Sequence, residues 1–128
     1  MFSEFYVEIQ KVHPSQLFIN GTKRLRVKEW IKPETHNYQP IPVKMYGEKL
    51  FLTDGHTRAV CIREAGCTHM KVVWDQDDLD DSEYLTCIEW CQREGILSID
   101  DLTSRIIPDE DYQRLWIQRC EKAFGIEG

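Results

Sequence analysis

The sequence contains no apolar run that approaches the roughly 18 residues needed to cross a membrane as a helix. Its first residues, Met1-Phe2-Ser3-Glu4, lack the basic and apolar regions of a secretory signal peptide. It also has no internal repeat and no low-complexity tract. We therefore expect a globular cytoplasmic protein that does not partner with a membrane.

Paired cysteines are missing as well. The five cysteines fall at spacings that match neither a disulfide framework nor a Cys-x-x-Cys metal site; they are Cys61, Cys67, Cys87, Cys91 and Cys120. Free thiols are the expected state. Cys87 and Cys91 lie one turn apart on a predicted helix, so they share a face and are expected to pack in the core.

Positive charge is in deficit. The chain carries 16 Lys and Arg against 22 Asp and Glu, a formal net charge of −6, so DNA binding is not expected. The basic residues nevertheless concentrate around a predicted helix over 22–31, in which Leu25, Val27 and Trp30 are expected to point partly inward. The acidic segment 75–83 lacks the central glycine and terminal glutamate of a calcium loop, and is expected to be an exposed linker.

The length and the hydrophobic content favour one compact domain, because 128 residues with 41% apolar side chains can bury a single core. The apolar run 41–52, with a turn at Tyr46-Gly47-Glu48, predicts a β-hairpin, and Met70 to Trp74 predicts a strand. We expect an α+β fold over 1–128, with an α+β core over 1–76 and a helical extension over 77–128.

The predicted extension is helical throughout. One helix is expected to reach Glu94 and to stop at Gly95. Ser98 and Asp101 form a capping box that opens a short helix through Ile106, and a further helix begins after Pro108.

The residue types that carry chemistry concentrate where the predicted hairpin ends. Asp54-Gly55-His56-Thr57-Arg58 follows the apolar run and opens a helix that ends at Gly66. The first N–H groups of a helix have no partner within it, and the helix dipole is positive there, so this position favours an anion. His56, Thr57 and Arg58 add a ring N–H, a hydroxyl and a guanidinium, all of which can donate to phosphate.

Three roles are open for Asp54 on residue type alone. It can hold a magnesium ion, accept a proton from a hydroxyl group, or cap the helix. An ordinary Asp-Gly turn without function is the competing interpretation of the whole segment.

Several segments resemble the ParB and sulfiredoxin-like superfamily over roughly the first three fifths of the chain. They are Lys11 to Leu17, Pro40-Ile41-Pro42-Val43, Asp54 to Arg58 with the helix that ends at Gly66, and the strand Met70 to Trp74. The resemblance implies a small mixed sheet with helices, in which the glycine turn binds nucleotide phosphates.

The departures from the superfamily narrow what the turn is expected to do. Sulfiredoxins carry a reactive cysteine where His56 stands, and partition ParB proteins read Gly-Glu-Arg-Arg across the turn, so neither activity is expected. The motif Asp-Gly-His-His-Arg of free-serine kinases differs from Asp54 to Arg58 of this chain only at Thr57. Those kinases carry a catalytic glutamate before a Gln-Leu pair, and here Ser15 precedes Gln16-Leu17.

The resemblance therefore implies binding of a nucleotide or another phosphate ester, with phosphotransfer or nucleotide hydrolysis as the possible reactions. Its expected ligands are ATP, ADP or CTP with Mg²⁺. The implied phosphate-binding residues are Lys23, Gly55, His56, Thr57 and Arg58; Asp54 and His56 are the implied catalytic residues, and Asp54 is the implied metal ligand. The alternative is a noncatalytic interaction or regulatory module of the same fold, whose helical extension binds a protein partner.

Overall fold

The computed structural model describes residues 3–77 and 81–125. The strands in this part of the chain are β1 (Phe5–Glu8), β2 (Val12–His13), β3 (Ile19–Asn20), β4 (Ile41–Tyr46), β5 (Lys49–Leu52), β6 (His69–Trp74) and β7 (Ile106–Ile107). Five of them form one curled mixed sheet in the order β1, β6, β4, β5, β2, and β3 pairs with β7 in a separate parallel pair.

The helices are α1 (Gly21–Trp30), α2 (His56–Glu64), α3 (Asp81–Arg93), α4 (Ile99–Leu102), α5 (Asp109–Tyr112) and α6 (Gln118–Phe124). Short 3-10 turns cover Ile9–Lys11 and Pro33–Thr35, and a π-helical segment, Gln113–Ile117, joins α5 to α6. The predicted α+β class is confirmed. None of the helices in the described ranges is long and apolar enough to cross a membrane.

The β4–β5 hairpin positions the turn at Asp54. Gly47 adopts φ +65 between the strands, a backbone conformation that glycine reaches without steric cost. Val43 pairs with Leu52 across the hairpin, and both side chains are fully buried. The predicted hairpin over 41–52, the predicted helix that ends at Gly66 and the predicted strand up to Trp74 are all confirmed.

Helix α2 lies in the core, since four successive residues of it, Ala59 to Ile62, are buried. Helix α1 packs beside it: the Cys61 thiol lies 3.8 Å from the Arg24 carbonyl oxygen, and the Arg24 guanidinium donates two hydrogen bonds to Glu64. Arg24, the fourth residue of α1, therefore packs against Cys61, five residues past His56, and against Glu64 at the end of α2.

Of the three α1 residues predicted to point partly inward, one is buried. Val27 is buried, whereas Leu25 and Trp30 are 60% and 52% exposed, so their prediction as partly inward is wrong. Only one side of α1 touches α2, and Leu25 and Trp30 occupy the other side.

The capping box at Ser98 and Asp101 is confirmed, and α3 ends at Arg93, one residue before the predicted end at Glu94. The short helix ends at Leu102 instead of reaching Ile106, which corrects that prediction. Ile106 and Ile107 instead pair as β7 with Ile19 and Asn20, because two β-branched residues suit a strand better than a helix end.

The cysteines are all free thiols, as predicted, and Cys87 and Cys91 are buried. Burial raises the pKa of Cys91 to about 12, so this thiol stays protonated and acts as a small apolar core residue. The core also takes residues from the C-terminal region, among them Ile99, Leu102 and Trp116.

Candidate anion-binding site

The turn before α2 requires glycine for two reasons. Gly55 adopts φ +74, in the left-handed region, and a Cβ atom there would lie 2.8 Å from Nη2 of Arg58 and 3.1 Å from Cγ2 of Ile41. Arg58 folds back over this glycine and donates from Nη1 to the Gln39 carbonyl oxygen at 2.8 Å. The guanidinium therefore lies directly beside the start of the helix.

The first amide groups of α2 are open. Ala59 makes the first helical bond, to the Gly55 carbonyl oxygen at 3.0 Å, and no side chain caps the helix. The amides of His56, Thr57 and Arg58 accordingly have no hydrogen-bond partner within residues 3–77 and 81–125. The alternative that Asp54 caps this helix is wrong.

His56 is buried, with 4% exposure, and its ring orientation is fixed. Its Nε2 atom accepts a hydrogen bond from the Ser15 amide at 2.9 Å, while the Ser15 hydroxyl donates to the Leu52 carbonyl oxygen at 2.7 Å. Burial, opposed by Asp54 and assisted by Lys23, lowers the pKa of His56 to about 4. The ring is therefore neutral near pH 7 and carries its proton on Nδ1.

Two buried donors at the turn lack a protein partner among the described residues: the Nδ1–H group of His56 and the hydroxyl of Thr57, whose residue is 5% exposed. No fully buried side-chain nitrogen or oxygen in this part of the chain lacks a partner, so both atoms retain contact with solvent. They are available to a ligand that approaches the start of α2.

Charges of both signs surround the turn. Lys23 is exposed and close enough to lower the pKa of His56, and it forms no ion pair with a described residue. Asp54 is exposed and raises the pKa of both His56 and Arg58, although burial lowers the pKa of Arg58 overall. The adjacent start of α1 is capped, because the Asn20 side chain accepts from the Thr22 and Lys23 amides. Only α2 offers open amides here.

Sequence reasoning missed two tyrosines at this site. Tyr84 donates to the Thr53 carbonyl oxygen at 3.2 Å, and Gln16 donates to the Tyr112 hydroxyl at 3.0 Å. Burial is the largest cause of the raised pKa of each tyrosine, and Asp54 contributes to both; the pKa of Tyr112 is raised to about 12. Both tyrosines come from the helical half, and no local pattern linked that half to the turn.

A metal ion at the turn would have few protein ligands. The described residues contain no group of three or more His, Cys, Asp or Glu side chains arranged to hold a metal. Asp75 is engaged by the Thr53 hydroxyl at 2.5 Å. Asp54 offers one free carboxylate, which suits Mg²⁺ that takes its other ligands from water and substrate phosphates.

The turn is only partly exposed, because His56 and Thr57 are buried while Asp54 is exposed. Five surface cavities of about 230 to 500 Å³ lie elsewhere on the described part of the chain, and residues 54–58 line none of them. Lys23, Tyr84 and Tyr112 lie near the turn, since Lys23 acts on the pKa of His56 and Asp54 acts on the pKa of both tyrosines.

Comparison with known proteins gives a likeness in fold. No family model and no curated protein matches the sequence. The crystal structure of protein Atu1540 from Agrobacterium tumefaciens is similar over all of this chain and 72% of that chain, with a TM-score of 0.54 and 16% sequence identity. At this identity the likeness shows a shared fold and says nothing about ligands or activity.

Proposed function

We propose that this chain is a ParB and sulfiredoxin-like domain that binds a nucleotide or another phosphate ester at Asp54 to Arg58. The observation that carries the proposal is the open start of α2, where three backbone amides and two side-chain donors have no partner among the described residues. Donors that lie within three successive residues and have no acceptor suit an anion, and phosphate accepts hydrogen bonds from several directions.

Each residue of the turn has a distinct role in this proposal. The amides after Gly55, the Thr57 hydroxyl and the Nδ1–H group of His56 donate to phosphate oxygens. Lys23 and Arg58 supply positive charge, and Arg58 has N–H groups beyond the one given to Gln39. His56 serves mainly to fix the loop at Ser15 against α2, because its Nε2 is committed to that amide.

Catalysis is a further step of the same proposal. Asp54 is the exposed carboxylate that can hold Mg²⁺ or accept a hydroxyl proton. The reaction would be phosphotransfer or nucleotide hydrolysis. Ser15 cannot replace the glutamate that activates the acceptor in the kinases, since its hydroxyl is buried and donates to Leu52.

Ligand-dependent stabilisation tests the binding proposal. Thermal melts with ATP, ADP, CTP, GTP, pyrophosphate and sulfate, each with and without Mg²⁺, should reveal at least one stabilising ligand. A ligand at a hundredfold excess over its Kd adds about 2.7 kcal/mol to the free energy of unfolding.

The variant Lys23→Ala tests whether the stabilising ligand binds at this turn. Lys23 is exposed and forms no ion pair with a described residue, so its loss should leave the melt of the free protein unchanged and weaken binding by about one decade, the scale of one charge-assisted contact. Lys28→Ala, on the same helix, is the matched control. Equal affinities of wild type, Lys23→Ala and Thr57→Val for the stabilising ligand would refute the phosphate site.

The noncatalytic interaction module is the second candidate. It is favoured by the burial of His56 and by its structural bond to Ser15, which give the turn a role in the fold without any ligand. The absence of stabilisation by every phosphate compound in the melt series would favour this candidate.

A further inference from the structure

One of the surface cavities described above is a pocket in the C-terminal region, away from the turn at Gly55. Its volume is about 420 Å³, within the range of small-molecule sites, and its lining residues are Trp90, Arg114, Gln118, Arg119, Lys122 and Ala123. Three of the six are cationic and none is acidic, although acidic residues outnumber basic ones in the chain. The pocket thus concentrates positive charge against the overall composition.

Part of the pocket lining comes from a π-helical segment of the backbone. The π-helical segment Gln113–Ile117 supplies Arg114, and α6 continues from it without a break. π-helical turns are rare and are found often at functional sites. In the same segment Trp116 is buried and meets the ring of Trp90 edge-to-face, with 5.9 Å between centroids. The buried Trp116 therefore holds the ring of Trp90, which lines the pocket, in place.

The cations of the pocket differ in how firmly they are held. The Arg119 guanidinium lies 4.2 Å above the ring of Trp90, and its Nη1 donates to Glu94 at 3.1 Å. This arginine is held in position before any ligand arrives. Arg114 forms an exposed pair with Asp111, and Lys122 forms no ion pair with a described residue. One cation is thus rigid and two can turn towards a ligand.

We propose that this pocket binds a small organic anion, a carboxylate or phosphate monoester carried on an aromatic body. Lys122, Arg114 and Arg119 would hold the anionic group, because they present only donors. The aromatic ring would lie against the apolar surface of Trp90 and Ala123, beside the Arg119 guanidinium that stacks on Trp90. The same chemistry occurs in a free aromatic acid and in a phosphorylated tyrosine side chain.

Phenyl phosphate is the probe, titrated into the full ¹⁵N-labelled chain. The indole N–H resonance of Trp90 should shift and saturate, while those of Trp30 and Trp74, which lie on α1 and β6, should not move. Inorganic phosphate and phenol carry only one half of the chemistry and should each bind at least about tenfold more weakly. Titration of a phosphotyrosine peptide, compared with phenyl phosphate, shows whether the pocket takes a phosphorylated tyrosine side chain or only a small free aromatic anion.

The variant Lys122→Glu should weaken the binding of phenyl phosphate by about tenfold or more, with Lys28→Glu as a control of equal charge change. Lys122 is exposed, so the fold should survive. The Trp90 shift must also persist in Lys23→Ala, which keeps this pocket distinct from the turn. A Trp90 resonance that never saturates, that responds equally in Lys122→Glu, or that responds equally to inorganic phosphate would overturn the proposal.

Discussion

His56 makes the stability of the protein depend on pH. Burial lowers the pKa of His56 in the folded state to about 4, below its ordinary 6.5, so the unfolded chain takes up the proton first as the pH falls. The stabilisation is fully present above pH 6.5 and is lost between pH 6.5 and 4. The free energy of unfolding should fall by about 3 kcal/mol in this interval through His56.

Chemical denaturation of His56→Gln at several pH values checks this expectation. Glutamine can still accept the hydrogen bond from Ser15 and does not titrate, so its curve should be flatter between pH 6.5 and 4. His69→Gln replaces an exposed histidine and should keep the slope of the wild type. Parallel curves for wild type and His56→Gln would contradict the assignment.

A comparison of alanine substitutions at Gly55 and Gly47 distinguishes the cost of backbone strain from the cost of steric crowding. Both have positive φ, yet a Cβ atom at Gly47 would meet nothing within 4 Å, whereas one at Gly55 would strike the Arg58 guanidinium. Gly47→Ala should cost about 1–2 kcal/mol of stability, the strain of the left-handed backbone. Gly55→Ala should cost more and should also displace Arg58.

Urea denaturation measures both costs, and the affinity for the stabilising phosphate compound supplies the second readout. Gly47→Ala should leave that affinity unchanged, whereas Gly55→Ala should reduce it. An equal loss of stability in the two variants would mean that Arg58 moves away freely and that the close approach has no consequence.

At the scale of elements, Glu94 joins three parts of the C-terminal region. It accepts hydrogen bonds from Arg105 and Arg119, whose guanidinium groups lie over the rings of Phe18 and Trp90. Burial acts to raise the pKa of Glu94, but the two arginines outweigh it, and the pKa is lowered. The pairing is therefore complete above the ordinary pKa of a glutamate and is lost as the pH falls through the lowered value.

Glu94→Gln should reduce stability at pH 7 by up to about 1 kcal/mol, because the ion pairs are partly exposed. The difference from wild type should shrink on acidification, when the wild-type carboxylate is itself protonated. Thermal melts at pH 7 and pH 3 measure this, and Glu89→Gln, in an exposed pair with Arg93, is the control. A difference that is the same at both pH values would contradict the role of the charge.

The elements that sequence reasoning predicted correctly are those with a local signal. The hairpin was predicted from an apolar run with a glycine turn, and α4 was predicted from its capping box. The pairing of Ile19 with Ile106 was missed, since each strand has two residues and the partners are far apart in sequence. The contact between Ser15 and His56 was missed for the same reason, so the neutral state of the ring could not be foreseen.

On the scale of the whole molecule, the helical region is interleaved with the N-terminal region. Gln16 bonds to Tyr112, Asn20 bonds to Asp109, and Arg63 of α2 bonds to Asp100. Ile99 and Leu102 belong to the same core as Leu17 and Ile19. The boundary expected near residue 76 therefore crosses a shared core.

A fragment of residues 1–76 should not fold alone, because it would expose the apolar residues that the C-terminal helices cover. Far-ultraviolet circular dichroism and urea titration of the fragment would show a disordered chain or a transition without cooperativity. The full chain under the same conditions is the control. A cooperative transition in the fragment would restore 1–76 as an independent core.

The contacts between the N-terminal region and the C-terminal helices also affect when the protein can fold. The bond from Gln16 to Tyr112 joins residues 96 positions apart, so the loop that it closes spans most of the polypeptide. Contacts of such long range slow folding. A nascent chain at the ribosome can form the hairpin and α2 early, but it must hold an uncovered apolar surface until the last helices emerge.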